Sequence, residues 1–395
     1  MLVEKSLIVY DNSSGRYRLL ETVRQYAGDK LDLVRETERT QLRHLWHFLA
    51  IAEEAEPHCR GIEQSEWLDR LEAEHDNIRS ALKYGFRSNT SDIGQSPASH
   101  LTQQSRAHSN SIAGLRIAGS LWRFWQVCCH LTEGARWLDL ARLAGTGATP
   151  DSRAKVFSGA GTMAWMCGDH ERHRLYHERA LELFRESGDK WGIAFSLNCL
   201  GDNAKTRGET DLALSLLDES LQLFREVEDT WGIAFALNNL AEMKRVAGEY
   251  EQARSIYEES VLLFRQVGDR AATALGIHNM GLVALGSGQN DAANAYFRDA
   301  LTISLEVGNK PTVALCLQGI AAVFARLGHP ELSGRLFGAV ESYLALIGFQ
   351  VEPADEFQIV PIRATVDVPE NAEHWAAGRA MTIEETLDQI LEFHS

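Results

Sequence analysis

The sequence predicts an all-α fold, a superhelical solenoid of helix pairs of about forty residues each, with a small hairpin-and-helix unit in front. The stretch "DKWGIAFSLNCLGD" begins at Asp189, and "DTWGIAFALNNLAE" follows from Asp229. In that register, residues 191–230 and 231–270 are identical at 19 of 40 positions. Each window also carries two apolar stripes at helical spacing, separated by a glycine. These observations indicate an internal structural repeat rather than a duplicated active site.

The register extends in both directions, and the windows begin at residues 151, 191, 231, 271 and 311. A small residue such as Ala213 or Ala253, followed four positions later by a larger one, lets two antiparallel helices pack closely. The glycines between the stripes, Gly208 and Gly248, suit a turn that needs positive φ. Because one pair cannot bury both of its faces, we expect the stack to fold as a unit.

The remaining segments have other patterns. Residues 1–35 are typical of strand, turn, strand and helix, with the turn at Asn12 to Gly15. Residues 36–87 predict a helical connector, and the Ser/Thr/Gln/Asn-rich residues 88–111 predict a flexible polar loop. The array spans 112–350, with a diverged copy at Leu115 to Gly145. Residues 351–395 predict a linker, in which "IVPIRATVDVP" fits a strand or an extended piece, and a final helix capped by Thr382 and Glu385.

Composition narrows the class of protein. The formal net charge is −16, so the chain as a whole repels nucleic-acid phosphates and anionic lipid. The six cysteines have no framework spacing, which favours reduced thiols in the cytoplasm. The long uncharged window from Ala271 to Asn290 contains His278 and Asn279, so no membrane span is expected.

The repeats resemble the tetratricopeptide repeat, lengthened from about 34 to about forty residues. Outside them, "LVEKSLIVYDNSSGRYRLLETVRQYAGDKL", "EWLDRLEAEHDNIRSALKYGF" and "HWAAGRAMTIEETLDQIL" resemble the C-terminal half of bacterial STAND/NB-ARC-type ATPase regulators, the LuxR-, AfsR- and MalT-like proteins. This resemblance implies that residues 1–35 are a winged-helix remnant and that the repeats are a sensor arm. It also implies a nucleotide-binding regulator module as a partner, in cis or in trans.

The chain departs from that family in three ways. It contains no GxxxxGK[ST] phosphate-binding loop. Leu19, Leu20 and Glu21 occupy the positions of the family's Met-His-Asp triplet, and no LuxR-type helix-turn-helix follows Ile390. We therefore expect a fragment or split product that is not an enzyme and has no cofactor.

Two sequence patterns suggest a binding site for a dinucleotide or a metal ion, but each has a simpler structural interpretation. Gly159 to Ala164 reads GxGxxA, yet no strand precedes it as dinucleotide binding requires. A metal site is conceivable from seven residues: Cys128, Cys129, His130, Cys167, His170, His173 and His177. His173 and His177, however, occupy the packing positions of Ala213 and Leu217, so packing explains them. We predict no catalytic residues and no metal ligands.

The candidate binding site is the concave face lined by the first helix of each pair. Its predicted residues are Phe195, Asn198, Asp202, Lys205, Phe235, Asn238, Glu242, Arg245 and His278. Exposed polar groups over apolar walls favour a protein or peptide partner there, or a small-molecule inducer. Asn198 and Asn238 would hold a peptide main chain; the alternative is that they cap or bridge neighbouring helices.

The predicted function is a non-catalytic sensor or scaffold arm of a signalling or transcriptional regulator. The first alternative is a DNA-binding regulator that uses the wing, where Arg16, Arg18 and Arg24 are basic. The partner helix of such a domain is missing from the sequence, so nucleic-acid binding by this chain alone is not expected. The last alternative is a metal-binding protein.

Overall fold

The computed structural model describes residues 8–11, 16–87 and 97–392, and it confirms the predicted helical solenoid. At the front, β1 (Ile8–Asp11) and β2 (Arg16–Leu19) pair antiparallel, and α1 (Glu21–Leu33) follows. The predicted turn at 12–15 lies outside the described residues. Helix α1 buries none of its residues, and the Tyr26 and Leu33 side chains remain 61% and 74% exposed. The hairpin and helix are thus present as predicted, with apolar surface uncovered.

The connector consists of α2 (Thr37–His58), α3 (Gln64–Ala73) and α4 (His75–Gly85), which pack with α5 (Pro97–Ser120). Residues 88–96 lie outside the described part of the chain. The prediction of a loop over 88–111 is wrong from Pro97 onwards, because α5 begins there. Its apolar end, with Leu115 and Ile117, is buried against the connector. Packing of the apolar end stabilises the helix, although the sequence of its polar end has no apolar periodicity.

The diverged repeat is formed by the end of α5, by α6 (Trp122–Val127) and by α7 (Leu131–Ala144). Its predicted positions behave as packing positions, since Leu121 and Leu138 are fully buried. A Cβ at Gly134 would lie 2.9 Å from the Cβ of Trp125. The first helix of this pair is interrupted at Leu121, which explains the weak repeat pattern.

Five regular helix pairs follow, one in each predicted window. They are α8 (Pro150–Met166) with α9 (His170–Ser187), α10 (Lys190–Thr206) with α11 (Thr210–Glu226), α12 (Thr230–Val246) with α13 (Tyr250–Val267), α14 (Arg270–Gly286) with α15 (Asn290–Val307), and α16 (Lys310–Arg326) with α17 (Pro330–Ile347). The recurring acidic joint is an N-cap: the carboxylates of Asp189, Asp229 and Asp269 each accept a backbone N–H of the first turn.

Close contacts set the spacing of the pairs. A Cβ on Gly192 would lie 2.3 Å from the Phe184 ring, and one on Gly232 would lie 2.1 Å from the Phe224 ring. Only glycine allows the first helix of a pair to approach the preceding aromatic ring this closely. Within the third pair, Ala253 is fully buried at the small position predicted for it.

The C-terminal part contains α18 (Pro353–Glu356), α19 (Ile359–Val366), a 3-10 turn (Pro369–Asn371), α20 (Ala372–Arg379) and α21 (Ile383–Glu392). The prediction of a strand or an extended linker is wrong, because Ile359, Ile362 and Val366 share one helical face that is buried against α16 and α17. The predicted capping box is confirmed. The Thr382 N–H donates to Glu385 at 2.8 Å, and the Glu385 N–H donates to the Thr382 hydroxyl at 3.2 Å.

Within the described residues, no helix is both long enough and apolar enough to cross a membrane.

The first prediction concerns the packing between α12 and α13. Ala253→Leu should lower the free energy of unfolding by about 1–3 kcal/mol, because the added methylenes have no space at this fully buried position. Glu251→Gln is the matched control, since the Glu251 side chain is 81% exposed. Urea denaturation of both variants measures the effect. Equal midpoints for the two would show that the assigned helix contact is wrong.

The second prediction concerns the hairpin and α1. Because α1 buries no residue, its amides should exchange with solvent at least about tenfold faster than those of α12 and α13. Native-state hydrogen exchange, read by mass spectrometry, resolves the two regions in one experiment. Equal protection of residues 21–33 and 230–267 would contradict the assignment.

Candidate functional site on the concave face

The nine predicted residues lie on the first helices α10, α12 and α14, whose concave side we call the inner wall. The expectation that these residues are exposed is wrong. Seven of the nine are buried, and Lys205, one of the other two, has a side chain that is only 6% exposed. The chain itself covers them, since residues 349–358, here called the covering segment, lie against the inner wall.

Lys205 is the first of two buried cations that hold the covering segment. Its ammonium lies 2.5 Å from Asp202, 2.9 Å from Glu242 and 3.5 Å from Glu352. Asp202 is on the same helix, Glu242 is on the next first helix, and Glu352 belongs to the covering segment. The pairing of Lys205 with Asp202 thus extends to the next first helix and to the covering segment.

Arg245 is the second cation, and its side chain is completely buried. Its guanidinium donates to the Ala354 carbonyl at 2.9 Å and to the Gln358 side-chain oxygen at 2.5 Å. It also lies 3.5 Å from Asp355 and 3.4 Å from Glu242. A guanidinium can satisfy several acceptors in one plane, so Arg245 binds both the main chain and the side chains of the covering segment.

Two further contacts fix the start of the covering segment. The Gln350 N–H donates to the Met166 carbonyl at 3.0 Å. The indole N–H of Trp165 donates to the Glu352 carboxyl group. The segment is thus bound by α8, α10 and α12, through main-chain and side-chain groups, in the way a separate peptide would be held.

Burial shifts the titration of this cluster. Burial, and then the neighbouring Asp202, hold the pKa of Glu352 well above its usual range. Burial, and then Glu242, raise the pKa of Asp355 to about 7. Burial opposes the charge on Lys205, but Asp202 and Glu242 outweigh it and hold the Lys205 pKa well above its ordinary value. The cluster therefore keeps its cations and holds protons on the carboxyl groups of the covering segment.

The asparagines bridge neighbouring helices, which is the alternative that the sequence left open. The Asn239 amide donates to the Asn198 side-chain oxygen, and the Asn279 amide donates to that of Asn238 at 3.2 Å. Asn238 donates in turn to Asn239 at 3.4 Å. Sequence reasoning missed Asn239 and Asn279, although they recur forty residues apart as Asn198 and Asn238 do.

His278 takes a packing role on the inner wall. Its ring lies against Phe297, and its Nδ1 lies 3.9 Å from the Cys316 thiol. Burial, and then the charge of Arg245, lower the His278 pKa to about 3. Because this imidazole is neutral and buried, it has no accessible group that could bind a partner.

Phe195 and Phe235 belong to an aromatic column that runs along the inner wall. The centroids of these two rings are 5.6 Å apart, and Trp191 and Trp231 stack on them at 5.3 Å and 5.1 Å. The Arg60 guanidinium, from the connector, lies 4.3 Å from the Trp191 ring centroid. No sequence pattern predicts this contact of Arg60, because the tryptophan is more than a hundred residues away along the chain.

The metal alternative is not favoured by the geometry. Both ring nitrogens of His173 lie 3.0 Å from backbone carbonyls, those of Gly161 and Cys199, so neither is open to an ion. Among the seven conceivable ligands, His130 lies with Glu72 and His75, which are not among the seven, and its Nε2 is 2.7 Å from the Glu72 carboxylate. Among the described residues, the carboxylates of Asp202, Glu242 and Glu352 also lie close together, but Lys205 already occupies that cluster.

Of the three arginines considered for DNA binding, the structure describes the side chain of Arg24, which lies on α1. Arg24 forms an ion pair with Glu21 at 2.6 Å, so its charge is locally neutralised. The side chains of Arg16 and Arg18 lie outside the described part of the chain.

Comparison with known proteins supports the repeat fold. Residues 232–306 match the tetratricopeptide repeat family. Three curated relatives, from Mycobacterium bovis and two strains of Mycobacterium tuberculosis, are 27% identical over 238 residues, and their names describe HTH-type transcriptional regulators. The match covers 55% of this chain but 24% of each relative, so the chain spans about a quarter of their length.

Two solved structures align with the chain at low sequence identity. A Rap protein in complex with competence and sporulation factor aligns over 86% of this chain and 85% of its own, at 12% identity and a TM-score of 0.56. NprR in complex with its cognate peptide NprX aligns over 80% of this chain and 90% of its own, at 14% identity and a TM-score of 0.48. The first of these shows that the chain has a helical-repeat fold.

The third prediction compares how Lys205 and Glu352 contribute to the free energy of unfolding. Lys205→Met leaves Asp202 and Glu242 buried without their ammonium, so it should lower the free energy of unfolding by about 3–5 kcal/mol. Glu352→Gln should change it little, because the amide has the shape of the protonated acid that the raised pKa indicates. Chemical denaturation at pH 7 measures both. A larger loss for Glu352→Gln than for Lys205→Met would contradict this charge assignment.

The fourth prediction concerns pH. Asp355 has a pKa of about 7 when buried, against 3.8 in the unfolded chain, so its protonation stabilises the fold at low pH. That contribution is lost as the pH rises through 7, at up to about 1.4 kcal/mol per pH unit. Asp355→Asn should therefore become more stable relative to the wild type between pH 5 and pH 8. Denaturant midpoints for both proteins across this range test it; a pH-independent difference would show that Asp355 does not titrate on unfolding.

Proposed function

We propose that the chain is a non-catalytic protein-interaction arm of a STAND-type signalling or transcriptional regulator, and that its inner wall binds a peptide segment of a partner protein. One observation carries this proposal: the inner wall already holds a peptide, the covering segment. Arg245 donates to a main-chain carbonyl and a side-chain oxygen of that segment, and Lys205 contacts its Glu352.

The comparisons support two parts of this proposal, the link to a transcriptional regulator and the binding of a partner. The matched relatives carry the name of HTH-type transcriptional regulators and are about four times as long as the region they share with the chain. A nucleotide-binding module in cis or in trans would then receive the signal of the arm. The Rap structure has the same repeat fold and contains a bound factor. A concave helical-repeat surface is suited to such a ligand because it surrounds it on several sides.

The partner segment should resemble the covering segment that it replaces. The inner wall presents buried donors on Trp165, Lys205 and Arg245, so it needs a peptide rich in hydrogen-bond acceptors. A partner without such acceptors would leave a buried guanidinium and a buried ammonium short of partners, which is costly. In the free chain the covering segment satisfies these donors, and the partner has to compete with it.

The fifth prediction tests this competition with a labelled peptide, FQVEPADEFQ, which is residues 349–358. Glu352→Arg together with Asp355→Arg places cations beside Lys205 and Arg245, and should release the covering segment from the inner wall. The peptide should then bind this opened variant at least about tenfold more tightly than the wild type. Fluorescence anisotropy measures the affinity, and hydrogen exchange of residues 349–358 verifies the release.

The matched control adds Arg245→Met to the opened variant. This removes the bonds to Ala354 and Gln358, and should weaken peptide binding on the order of tenfold to a hundredfold. A peptide with the same residues in reverse order is the second control. If hydrogen exchange shows the segment released and the peptide still does not bind, the inner wall is not a peptide site.

A further inference from the structure

A cavity of about 160 Å³ lies between the inner wall and the covering segment. Much of its lining is aromatic, with Trp122 from α6, Phe195 from α10, Trp231 and Phe235 from α12, and Phe349 from the covering segment. An apolar cavity of about 150 Å³ in another protein holds one benzene molecule. The space therefore suits a ligand of about six non-hydrogen atoms.

Four carboxyl groups also line the cavity: those of Asp202, Glu242, Glu352 and Asp355. The two cations paired with them are Lys205 and Arg245, so the acids exceed the bases by two.

Other charged groups nearby do not remove this excess. Arg123 lines the cavity as well, but it is paired with Asp269 at 2.8 Å. The Arg60 guanidinium lies 5.1 Å from the Trp231 ring centroid, and its charge is balanced by its own acidic neighbours Asp229 and Glu56. His173 faces Asp202 from α9, and Tyr257 faces Arg245 from α13. If His173 is counted as a cation, four acids still face three bases.

The protein compensates for this excess with protons on the covering segment. Burial and the neighbouring acids raise the pKa values of Glu352 and Asp355, as described above. A bound cation would make the same compensation. The cavity also has an unused acceptor: Asn279 is 3% exposed and lines the cavity, and its side-chain oxygen has no hydrogen-bond donor among the described residues.

We propose that this cavity binds a small organic ammonium ion of about six non-hydrogen atoms, with its apolar part against the aromatic rings and its N–H groups directed to the carboxylates and Asn279. Aromatic faces attract cations, and desolvation strengthens that attraction. The cluster already holds one ammonium, since Lys205 lies 2.5 Å from Asp202. The inference goes beyond the proposed partner binding and depends on the docked covering segment alone.

Cyclopentylamine and cyclopentanol are the test pair, because they have the same shape and six non-hydrogen atoms, and only the amine is charged at pH 7. Calorimetric titration of the full chain, at constant ionic strength, should give at least tenfold tighter binding of the amine. The bound ammonium replaces protons on Glu352 and Asp355, so amine binding should release protons. Titrations in two buffers with different heats of ionisation measure that release.

Two variants connect the effect to the cavity. Leu275→Phe fills part of the space and should abolish binding of both probes. Glu352→Gln with Asp355→Asn keeps the shape and equalises acids and bases, so it should weaken the amine at least tenfold, leave the alcohol unchanged and abolish proton release. Circular dichroism verifies that both variants fold.

Three outcomes would overturn the proposal. Equal affinity for the amine and the alcohol would show an apolar cavity without charge selection. Amine binding that survives in the Leu275→Phe variant would place the ammonium elsewhere on this acidic chain. An absence of binding by either probe at millimolar concentration would show that the cavity holds water only.

Discussion

The structure depends on a steric constraint, the contact between a glycine at the start of one helix pair and an aromatic ring at the end of the previous pair. Gly192 on Phe184 and Gly232 on Phe224 leave no space for a Cβ, so successive pairs have one closest packing. This contact occurs at two successive joints, where it places α10 against α9 and α12 against α11; Ala272 and Thr312 stand at the equivalent positions of the next two joints. The aromatic column then links equivalent positions on adjacent first helices. The asparagine bridges and the Lys205–Glu242 ion pair join positions that are offset by one to three residues from equivalence.

Burying cations on the inner wall costs free energy, and the side chains of the repeats compensate only part of that cost. Lys205 and Arg245 point to the inside of the superhelix, where water is largely excluded, and a buried cation without partners is expensive. Asp202 and Glu242 supply part of the compensation, but a guanidinium has five N–H groups. The Ala354 carbonyl and the Gln358 side chain accept from it. The covering segment therefore supplies hydrogen-bond acceptors that this buried guanidinium needs.

The sequence predicted what is local or periodic, and it failed where one segment depends on a distant one. Five helix pairs and the final capping box follow from spacing, and all are present. The nine predicted site residues lie on three successive first helices, and their role in binding remains a prediction. Their burial was not predictable, because the covering segment shows no repeat, and one of its contacts joins residues 187 positions apart. The helix from Pro97 was missed for the same reason, since packing at its far end fixes it.

The covering segment connects the two proposals, because it competes with a partner for the inner wall and also closes the cavity with Phe349 and Glu352. A small ligand that fills the cavity stabilises the docked segment, so it must weaken partner binding. Thermodynamic linkage makes the effect reciprocal: a partner that displaces the segment opens the cavity and weakens the ligand by the same factor. Protonation of Asp355 also stabilises the docked segment, since this carboxyl group takes up a proton when it is buried. If both proposals hold, one short segment gives the repeat array two states, docked and released, which the ligand and the partner select in opposite directions.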